Sequence, residues 1–240
     1  MYRGLRVLAM APAHNEEKKI GSVVERVPMH IVDEMLVFDD GSNDRTAAVA
    51  RAKGANVISS GRRVYVGEAI RRSYEYGMKN GYDVVVVMAG NNKDAPEEIS
   101  LLLDPIADGQ ADFVQGSRWL GGRTNFGPMP FYRKVATRLH PVIFSIVAGK
   151  KVTESTNGFR AITKSVLSDK RIDLKQSWLQ HYELEPYLYL KTIKLGYRTV
   201  EVPVTKVYPP KKLGQTKMKP ITGWWSMLRP LVLVGLRIKE

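Results

Sequence analysis

The sequence contains no cysteine among its 240 residues. This excludes disulfides, thiolate metal sites and cysteine nucleophiles, and it fits a reducing compartment. Long apolar runs are missing as well. No segment reaches the roughly 18 consecutive apolar residues of a membrane-spanning helix, and residues 1–10 hold no apolar run of the length that a secretory signal needs. We therefore expect a cytoplasmic protein without a membrane span.

Acidic residues are scarce in the last part of the chain. The whole sequence carries 37 Lys and Arg against 24 Asp and Glu, which gives a net charge of +13. Residues 205–240 contain eight Lys and Arg but only one acidic residue. Such a segment either binds phosphates, on a ligand or a lipid surface, or is a solvated basic tail. No nucleic-acid recognition motif accompanies the charge, so we expect no nucleic-acid partner.

Short apolar runs alternate with segments of helical periodicity in the first half of the chain. The predicted strands cover residues 5–10, 35–38, 56–58 and 84–88, and a helix is predicted at 67–79. This alternation predicts an α/β fold with a doubly wound, mostly parallel sheet and helices on both faces. Ligands of such sheets bind beyond the carboxyl ends of the strands. Residues 12–16, 39–42 and 89–94 stand at those ends.

The second half of the chain is less regular. Helices are predicted at residues 96–106, 132–147 and 182–195, and a strand is predicted at 199–204. No repeat or linker-like composition divides this part of the chain. We expect one domain over residues 1–218, followed by an amphipathic helical segment over residues 219–240.

Two polar segments at predicted strand ends give the main chemical signal. The chain has no Gly-x-x-x-x-Gly-Lys-Ser/Thr loop and no Gly-x-Gly-x-x-Gly, which disfavours a P-loop or dinucleotide site. Instead, the first strand ends in Pro-Ala-His-Asn-Glu at 12–16 and the second in Asp-Asp-Gly-Ser at 39–42. Carboxylates there can accept hydrogen bonds from a nucleotide base and its ribose. A helix cap followed by a turn is the alternative explanation of the second segment.

Five short motifs follow one another in the chain. They are Pro12-Ala13-His14-Asn15-Glu16, Asp39-Asp40-Gly41-Ser42, Gly116-Ser117-Arg118, Thr156-Asn157-Gly158-Phe159-Arg160 and Glu201-Val202-Pro203-Val204. Together they resemble family 2 glycosyltransferases of the GT-A fold, most nearly the dolichol-phosphate mannose synthase group. The resemblance runs from about residue 5 to residue 218. It implies an inverting enzyme that transfers a sugar from a nucleoside-diphosphate donor.

The resemblance also implies roles for individual residues. Those that would hold the nucleotide are Pro12, Ala13, Asn15, Glu16, Asp39, Asp40, Ala89 and Gly90. Those that would hold the sugar or phosphates are Arg118, Arg133 or else Arg138, and Gln215 and Lys217 of a late element that closes over the donor or the acceptor phosphate. Cations placed there stabilise the charge that builds on the leaving diphosphate.

One departure from the family concerns the metal. Its members usually carry Asp-x-Asp after the fourth strand, which binds Mg²⁺ or Mn²⁺ on the diphosphate. Here Ala89-Gly90-Asn91 stands in that position, followed by Asn92-Lys93-Asp94. Three interpretations follow. Asn91 and Asp94 form a weak Mg²⁺ or Mn²⁺ site, Lys93 assists a metal-independent transfer, or the protein is an inactive relative.

The need for a catalytic base depends on the acceptor. Transfer to a hydroxyl needs a base, whereas the oxygen of a phosphate monoester is already anionic at pH 7. The candidate acids are Glu183 and Glu185, near the start of a predicted helix, and Glu154, which stands where relatives have Asp. A helix cap is the alternative explanation of Glu185.

The C-terminal segment combines tryptophans, aliphatic residues and cations. Trp224 and Trp225 precede an aliphatic run that is interspersed with Arg229 and Arg237. This composition is typical of an interfacial helix that lies on a bilayer. The alternative is that Trp224 and Leu231 pack into the core of the domain.

These observations predict a peripheral enzyme at the cytoplasmic face of a membrane. The leading hypothesis is transfer of mannose or glucose from a GDP- or UDP-sugar to polyprenyl phosphate or a lipid-linked glycan, in polysaccharide or glycolipid biosynthesis. The alternatives are transfer to a soluble glycan hydroxyl, with Glu185 as the base, and a nucleotide-sugar-binding protein without activity.

Overall fold

Strands and helices alternate along residues 1–122, 125–214, 217–218 and 221–239, which the computed structural model describes. The strands are β1 Val7–Ala13, β2 Glu34–Asp39, β3 Asn56–Ser59, β4 Val84–Val87, β5 Phe113–Ser117, β6 Arg160–Thr163 and β7 Thr199–Pro203. The α-helices are α1 Ile20–Glu25, α2 Thr46–Ala52, α3 Val66–Lys79, α4 Ile99–Ala107, α5 Phe131–Ala148, α6 Lys164–Leu167, α7 Leu184–Lys194 and α8 Thr222–Gly235. Short 3-10 helices cover Pro96–Glu98 and Lys211–Leu213.

The strands form one sheet in the order β3-β2-β1-β4-β6-β5-β7. Neighbours are parallel except at β6, which runs antiparallel to β4 and to β5. The predicted mostly parallel α/β sheet is therefore confirmed. The sequence analysis missed β6, because this strand has only four residues and only Ala161 and Ile162 among them are apolar.

β1 is longer than predicted. The strand runs to Ala13, so Pro12 lies within it and not in the loop that follows. Pro12 pairs with Phe38 of β2, beyond Met10, the last residue of β1 that pairs with β4. Proline has no backbone N–H to donate, and it is tolerated at a position where the strand pairs with a neighbouring strand on one side only. The polar loop at this strand end therefore starts at His14.

Apolar side chains cover both faces of the sheet. Alternation along β1 sends Val7 and Ala9 to one face and Leu8 and Met10 to the other. The first face packs against α1, α2 and α4, and the second packs against α3, α5, α7 and α8. Because both faces are covered by helices, the carboxyl ends of the strands remain as the place where a ligand can approach.

α8 packs against the domain along one side. Met227, Leu231 and Val234 are buried, and the helix contacts α5 and α7. Leu231 therefore packs into the core, as the alternative predicts. The domain boundary at residue 218 stays a prediction. Over the described ranges, no helix has the length and apolar character needed to cross a bilayer.

Candidate active site

A cavity of about 760 Å³ lies at the carboxyl ends of β1, β2 and β4. The start of α7 lines its other side, together with Leu213, Gly214, Lys217, Met218 and residues 222–227. Its volume is in the range of sites for small molecules. The predicted site residues that line it are Pro12, Ala13, Asn15, Glu16, Asp40, Ala89, Gly90, Asn91, Lys93, Arg118, Arg133, Glu183, Glu185 and Lys217. Residues that are up to 205 positions apart in the chain thus face one space.

The Asp-Asp-Gly-Ser turn directs its two carboxylates differently. Asp39 is buried and accepts hydrogen bonds from the Ser42 N–H and the Ser59 hydroxyl, both at 3.1 Å. Asp40 lines the cavity, and its Oδ1 accepts the Tyr65 N–H at 3.1 Å. Asp39 therefore stabilises the turn, as the alternative explanation of this segment predicts, and it does not line the cavity. Its contact with a nucleotide stays a prediction.

Arg118 and Glu154 form a buried ion pair. The Arg118 Nε lies 2.6 Å from Glu154 Oε2, and the side chains are 2% and 0% exposed. The other oxygen of Glu154 accepts the N–H and the hydroxyl of Thr156 at 2.8 and 2.7 Å. This corrects the prediction that Glu154 faces a substrate, because both of its oxygens are occupied within the protein. Arg118 reaches the cavity wall with its charge already balanced.

Of the two arginines proposed for the phosphates, Arg133 faces the cavity and Arg138 does not. The Arg138 guanidinium lies 4.5 Å from the centre of the Trp119 ring, outside the lining. The Arg133 guanidinium lies 5.9 Å from the centre of the Tyr208 ring. Gln215 is outside the described residues, so its predicted role remains a prediction.

Glu16 joins the first strand end to the late element at residues 214–217. Its two oxygens lie 2.5 Å from Lys19 Nζ and 3.0 Å from Lys217 Nζ. Lys19 also donates to the Gly214 carbonyl at 3.3 Å, and Lys217 donates to the Asn15 carbonyl at 2.9 Å. Burial lowers the pKa of Lys217, and the nearby Glu16 carboxylate opposes this shift. Gly214 and Lys217 of the late element therefore lie against the predicted nucleotide loop. Lys19 also lines the cavity and was not predicted from the sequence.

Glu183 and Glu185 both line the cavity at the start of α7. Glu185 Oε1 lies 3.2 Å from the guanidinium of Arg160, which is buried. Glu183 accepts the His181 N–H at 3.1 Å, and burial raises the pKa of its carboxyl. Glu185 is thus held by an ion pair with Arg160, and Glu183 lies 3.9 Å from the Arg229 guanidinium.

The two residues proposed as metal ligands do not act together. Asn91 lines the cavity, and its buried Oδ1 has no hydrogen-bond partner in the described part of the chain. The Asp94 carboxylate lies 2.5 Å from Lys206 Nζ and accepts the Ala89 N–H at 2.9 Å. No group of three or more His, Asp or Glu among the described residues is arranged to hold a metal. The interpretation of Asn91 and Asp94 as a metal site stays a prediction, which the ion pair between Lys206 and the Asp94 carboxylate disfavours.

Lys93 is 5% exposed and its Nζ lies 4.6 Å from the centre of the Tyr208 ring. Burial, together with the charges of Lys206 and Arg133, lowers the pKa of Lys93 to about 7. Lys206 and Tyr208 were missed as site residues. The signal that could have found them is their place directly after the Glu-Val-Pro-Val motif, since a strand end of this sheet leads into the site.

The fold and the cavity define a mixed α/β protein with a ligand site at the carboxyl ends of its strands. The family model described as glycosyl transferase family 2 matches residues 9–170. The chain therefore belongs to glycosyl transferase family 2. This confirms the family that the motifs resemble and the prediction of a sugar-transferring enzyme.

Two relatives cover most of the chain. Polyprenol monophosphomannose synthase of Mycolicibacterium smegmatis is 32% identical over 224 residues, which are 89% of this chain and 81% of the relative. Undecaprenyl-phosphate mannosyltransferase of Micrococcus luteus is 30% identical over 223 residues, which are 89% of this chain and 88% of that protein. The dolichol-phosphate mannose synthase-like character of the chain is thus confirmed.

Solved structures share the fold. Glucosyl-3-phosphoglycerate synthase of M. tuberculosis superposes with a TM-score of 0.72 at 21% identity, over 99% of this chain and 83% of that one. The same enzyme in complex with Mn²⁺, UDP and phosphoglyceric acid gives a TM-score of 0.69 at 23% identity, over 95% and 79% of the two chains. At this identity the likeness establishes the architecture.

Proposed function

We propose that this enzyme transfers a hexose, mannose or glucose, from a GDP- or UDP-sugar to a polyprenyl phosphate. The main supporting observation is that the motif residues at three strand ends share one cavity with Lys93, Arg133 and Lys217. A cavity with several cations suits two substrates that both carry phosphate. The relatives named for mannosyl transfer to polyprenol and undecaprenyl phosphate support the same acceptor class.

The proposed reaction forms one bond and breaks one bond at the anomeric carbon of the sugar. An anionic oxygen of the acceptor phosphate attacks this carbon from the face opposite the diphosphate, so the configuration inverts. The bond between the carbon and the β-phosphate oxygen breaks, and its electron pair leaves with the nucleoside diphosphate. Cations near that oxygen stabilise the developing charge. No base is needed, because the attacking oxygen carries no proton.

A lipid acceptor requires the enzyme to work at a membrane surface, and the face that we propose is the cytoplasmic one. The residues that we call the α5–α8 apolar face are Phe131, Leu139 and Ile146 of α5, Trp225 of α8, and Leu236, all of which are exposed. Lys134, Arg138, Arg237 and Lys239 are exposed basic residues of the same two segments. Apolar residues flanked by cations match the surface of an anionic bilayer. Trp225 also lines the cavity, so this face adjoins the proposed site.

A hydroxyl acceptor is the second candidate. The supporting observation is that the carboxylates of Glu183 and Glu185 both line the cavity, and that burial raises the pKa of Glu183, which makes it a better proton acceptor. In this case a glycan hydroxyl would lose its proton to Glu183 or Glu185 while it attacks the sugar. The two candidates differ in their dependence on these carboxylates.

The proposed function is tested with radiolabelled GDP-mannose and UDP-glucose and with vesicles that contain undecaprenyl phosphate. We expect label from one of the donors to move into the organic phase, with release of the matching nucleoside diphosphate. Vesicles without the phosphate lipid serve as the control. Binding of a donor without any transfer would show the inactive alternative to be right.

A further inference from the structure

Members of the family usually bind a divalent metal just after the fourth strand. The residues at this position in the present chain are poorly suited to hold such a metal. Mg²⁺ and Mn²⁺ in such sites are held by carboxylates together with the phosphates of the substrate. At this position the chain offers the neutral amide of Asn91 and the carboxylate of Asp94, which is bound by Lys206 and by the Ala89 N–H. The donor set therefore does not fit a divalent cation.

Positive charge surrounds the same place. Lys93 and Lys206 are 5% and 8% exposed, and both line the cavity. Lys19 and Arg133, which also line it, are close enough to act on the charge of Lys93. Lys206 is paired with Asp94 and Lys19 with Glu16, whereas Lys93 has no carboxylate partner in the described part of the chain. The charge of Lys93 repels a divalent cation and attracts a diphosphate.

Lys206 and Lys93 differ in what they contact. Lys206 lies between Asp94 at 2.5 Å and the Asn157 side-chain oxygen at 2.6 Å. Lys93 makes no ion pair with any carboxylate in the described part of the chain, and its ammonium lies on the face of the Tyr208 ring. A buried ammonium without a carboxylate partner is costly unless a ligand supplies the counter-charge. The unpartnered oxygen of Asn91 belongs to an amide whose other end can donate to a phosphate.

We propose that Lys93 binds the diphosphate of the donor in place of a divalent metal, that Lys206 withholds Asp94 from metal binding, and that transfer proceeds without a metal. This rests on the proposed function. As the bond to the anomeric carbon breaks, the electron pair that stays on the β-phosphate oxygen is stabilised by the Lys93 ammonium. No proton moves in this step.

The test compares wild-type protein with Lys93→Met and Lys93→Arg in EDTA and in Mn²⁺. Binding of GDP and UDP is measured by calorimetry, and transfer to undecaprenyl phosphate is measured with the matching hexose donors. Lys53→Met is the control, because Lys53 is an exposed residue paired with Glu25. We expect wild-type binding and transfer to change less than twofold between EDTA and Mn²⁺.

For Lys93→Met we expect a loss of kcat/KM on the order of 10²- to 10³-fold that Mn²⁺ does not restore, with a partial recovery in Lys93→Arg. The melting temperature of Lys93→Met should be equal to or above that of the wild type, because a buried charge without a partner is removed. A lower melting temperature together with unchanged nucleotide affinity would mean that Lys93 is structural and would overturn the proposal.

Other outcomes separate this inference from the proposed function. Binding of GDP or UDP in EDTA that depends on Lys93, without transfer to the lipid phosphate, would contradict the proposed function and support the lysine site. Nucleotide binding or transfer that disappears in EDTA and returns with Mn²⁺ would overturn the lysine site. Failure of both nucleotides to bind under either condition would overturn it as well.

Discussion

Several charged side chains in this site form ion pairs with residues that are distant in the sequence, so the pairs cannot be identified from the sequence. Arg118 and Glu154 are 36 positions apart, and only the fold shows that they neutralise each other. Lys206 likewise binds Asp94 from 112 positions away. The motifs predicted many of the residues that line the cavity, because strand ends of a parallel sheet converge. They could not predict which charges remain available, because that depends on partners from distant segments.

The role of Glu185 is tested by Glu185→Gln. Because an acceptor phosphate needs no base, we expect the variant to transfer hexose to polyprenyl phosphate at more than about a tenth of the wild-type rate. The measurement is the initial rate over a range of pH. A loss of about 10²-fold or more, with unchanged donor binding, would instead identify Glu185 as a base and favour a hydroxyl acceptor.

The buried pair predicts a large and reversible effect on stability. Arg118→Met leaves the Glu154 carboxylate buried without its cation, and we expect the free energy of unfolding to fall by about 3–5 kcal/mol. Urea denaturation measures this change. The double variant Arg118→Met/Glu154→Leu should recover most of the loss. Equal stability of the single and double variants would show that the pair is not coupled.

At the scale of elements, the positions of the helices were predicted better than which of their faces are buried. The sequence predicted helices at α3 and α5, but it did not predict that α5 leaves Leu139 and Ile146 exposed. α8 shows the reverse, since Leu231 is buried against the domain. An amphipathic pattern indicates that one face of a helix is more apolar than the other. Which face is buried depends on the elements that pack against the helix.

The α5–α8 apolar face predicts weaker membrane binding when charge is introduced. In Leu139→Glu/Ile146→Glu, apolar contact is lost and anionic lipids repel the new carboxylates, so we expect binding to anionic vesicles to fall by at least about tenfold. Vesicle co-sedimentation gives the affinity. Met29→Glu is the control, because Met29 is also exposed but lies before β2, away from this face. Equal losses in both variants would rule out a specific face.

At the scale of the whole molecule, the net charge of +13 adds a long-range attraction to anionic surfaces and phosphorylated ligands. The sequence predicted this attraction, since it depends on composition alone. It predicted Lys93 and Arg133 at the phosphates, but it did not predict that Lys19 and Lys206 line the same cavity. That arrangement depends on the sheet order, which brings β4 next to β6 and places the segment after β7 at the same edge.

The charge predicts a salt dependence. Binding to anionic vesicles should weaken several-fold between about 0.05 M and about 0.5 M NaCl, because salt shortens the range of electrostatic attraction. Co-sedimentation at each salt concentration measures the effect, and neutral vesicles serve as the control. Salt-independent binding to anionic vesicles would assign the attachment to apolar contact alone.

The most direct measurement of the central claim compares acceptors that differ only in the phosphate. Undecaprenyl phosphate and undecaprenol are placed in identical vesicles with the same labelled nucleotide sugar, and the labelled lipid is extracted and quantified. The account predicts that label enters only the phosphate lipid, in a product with inverted configuration at the anomeric carbon. Equal labelling of undecaprenol, or hydrolysis of the donor with no labelled lipid, would contradict it.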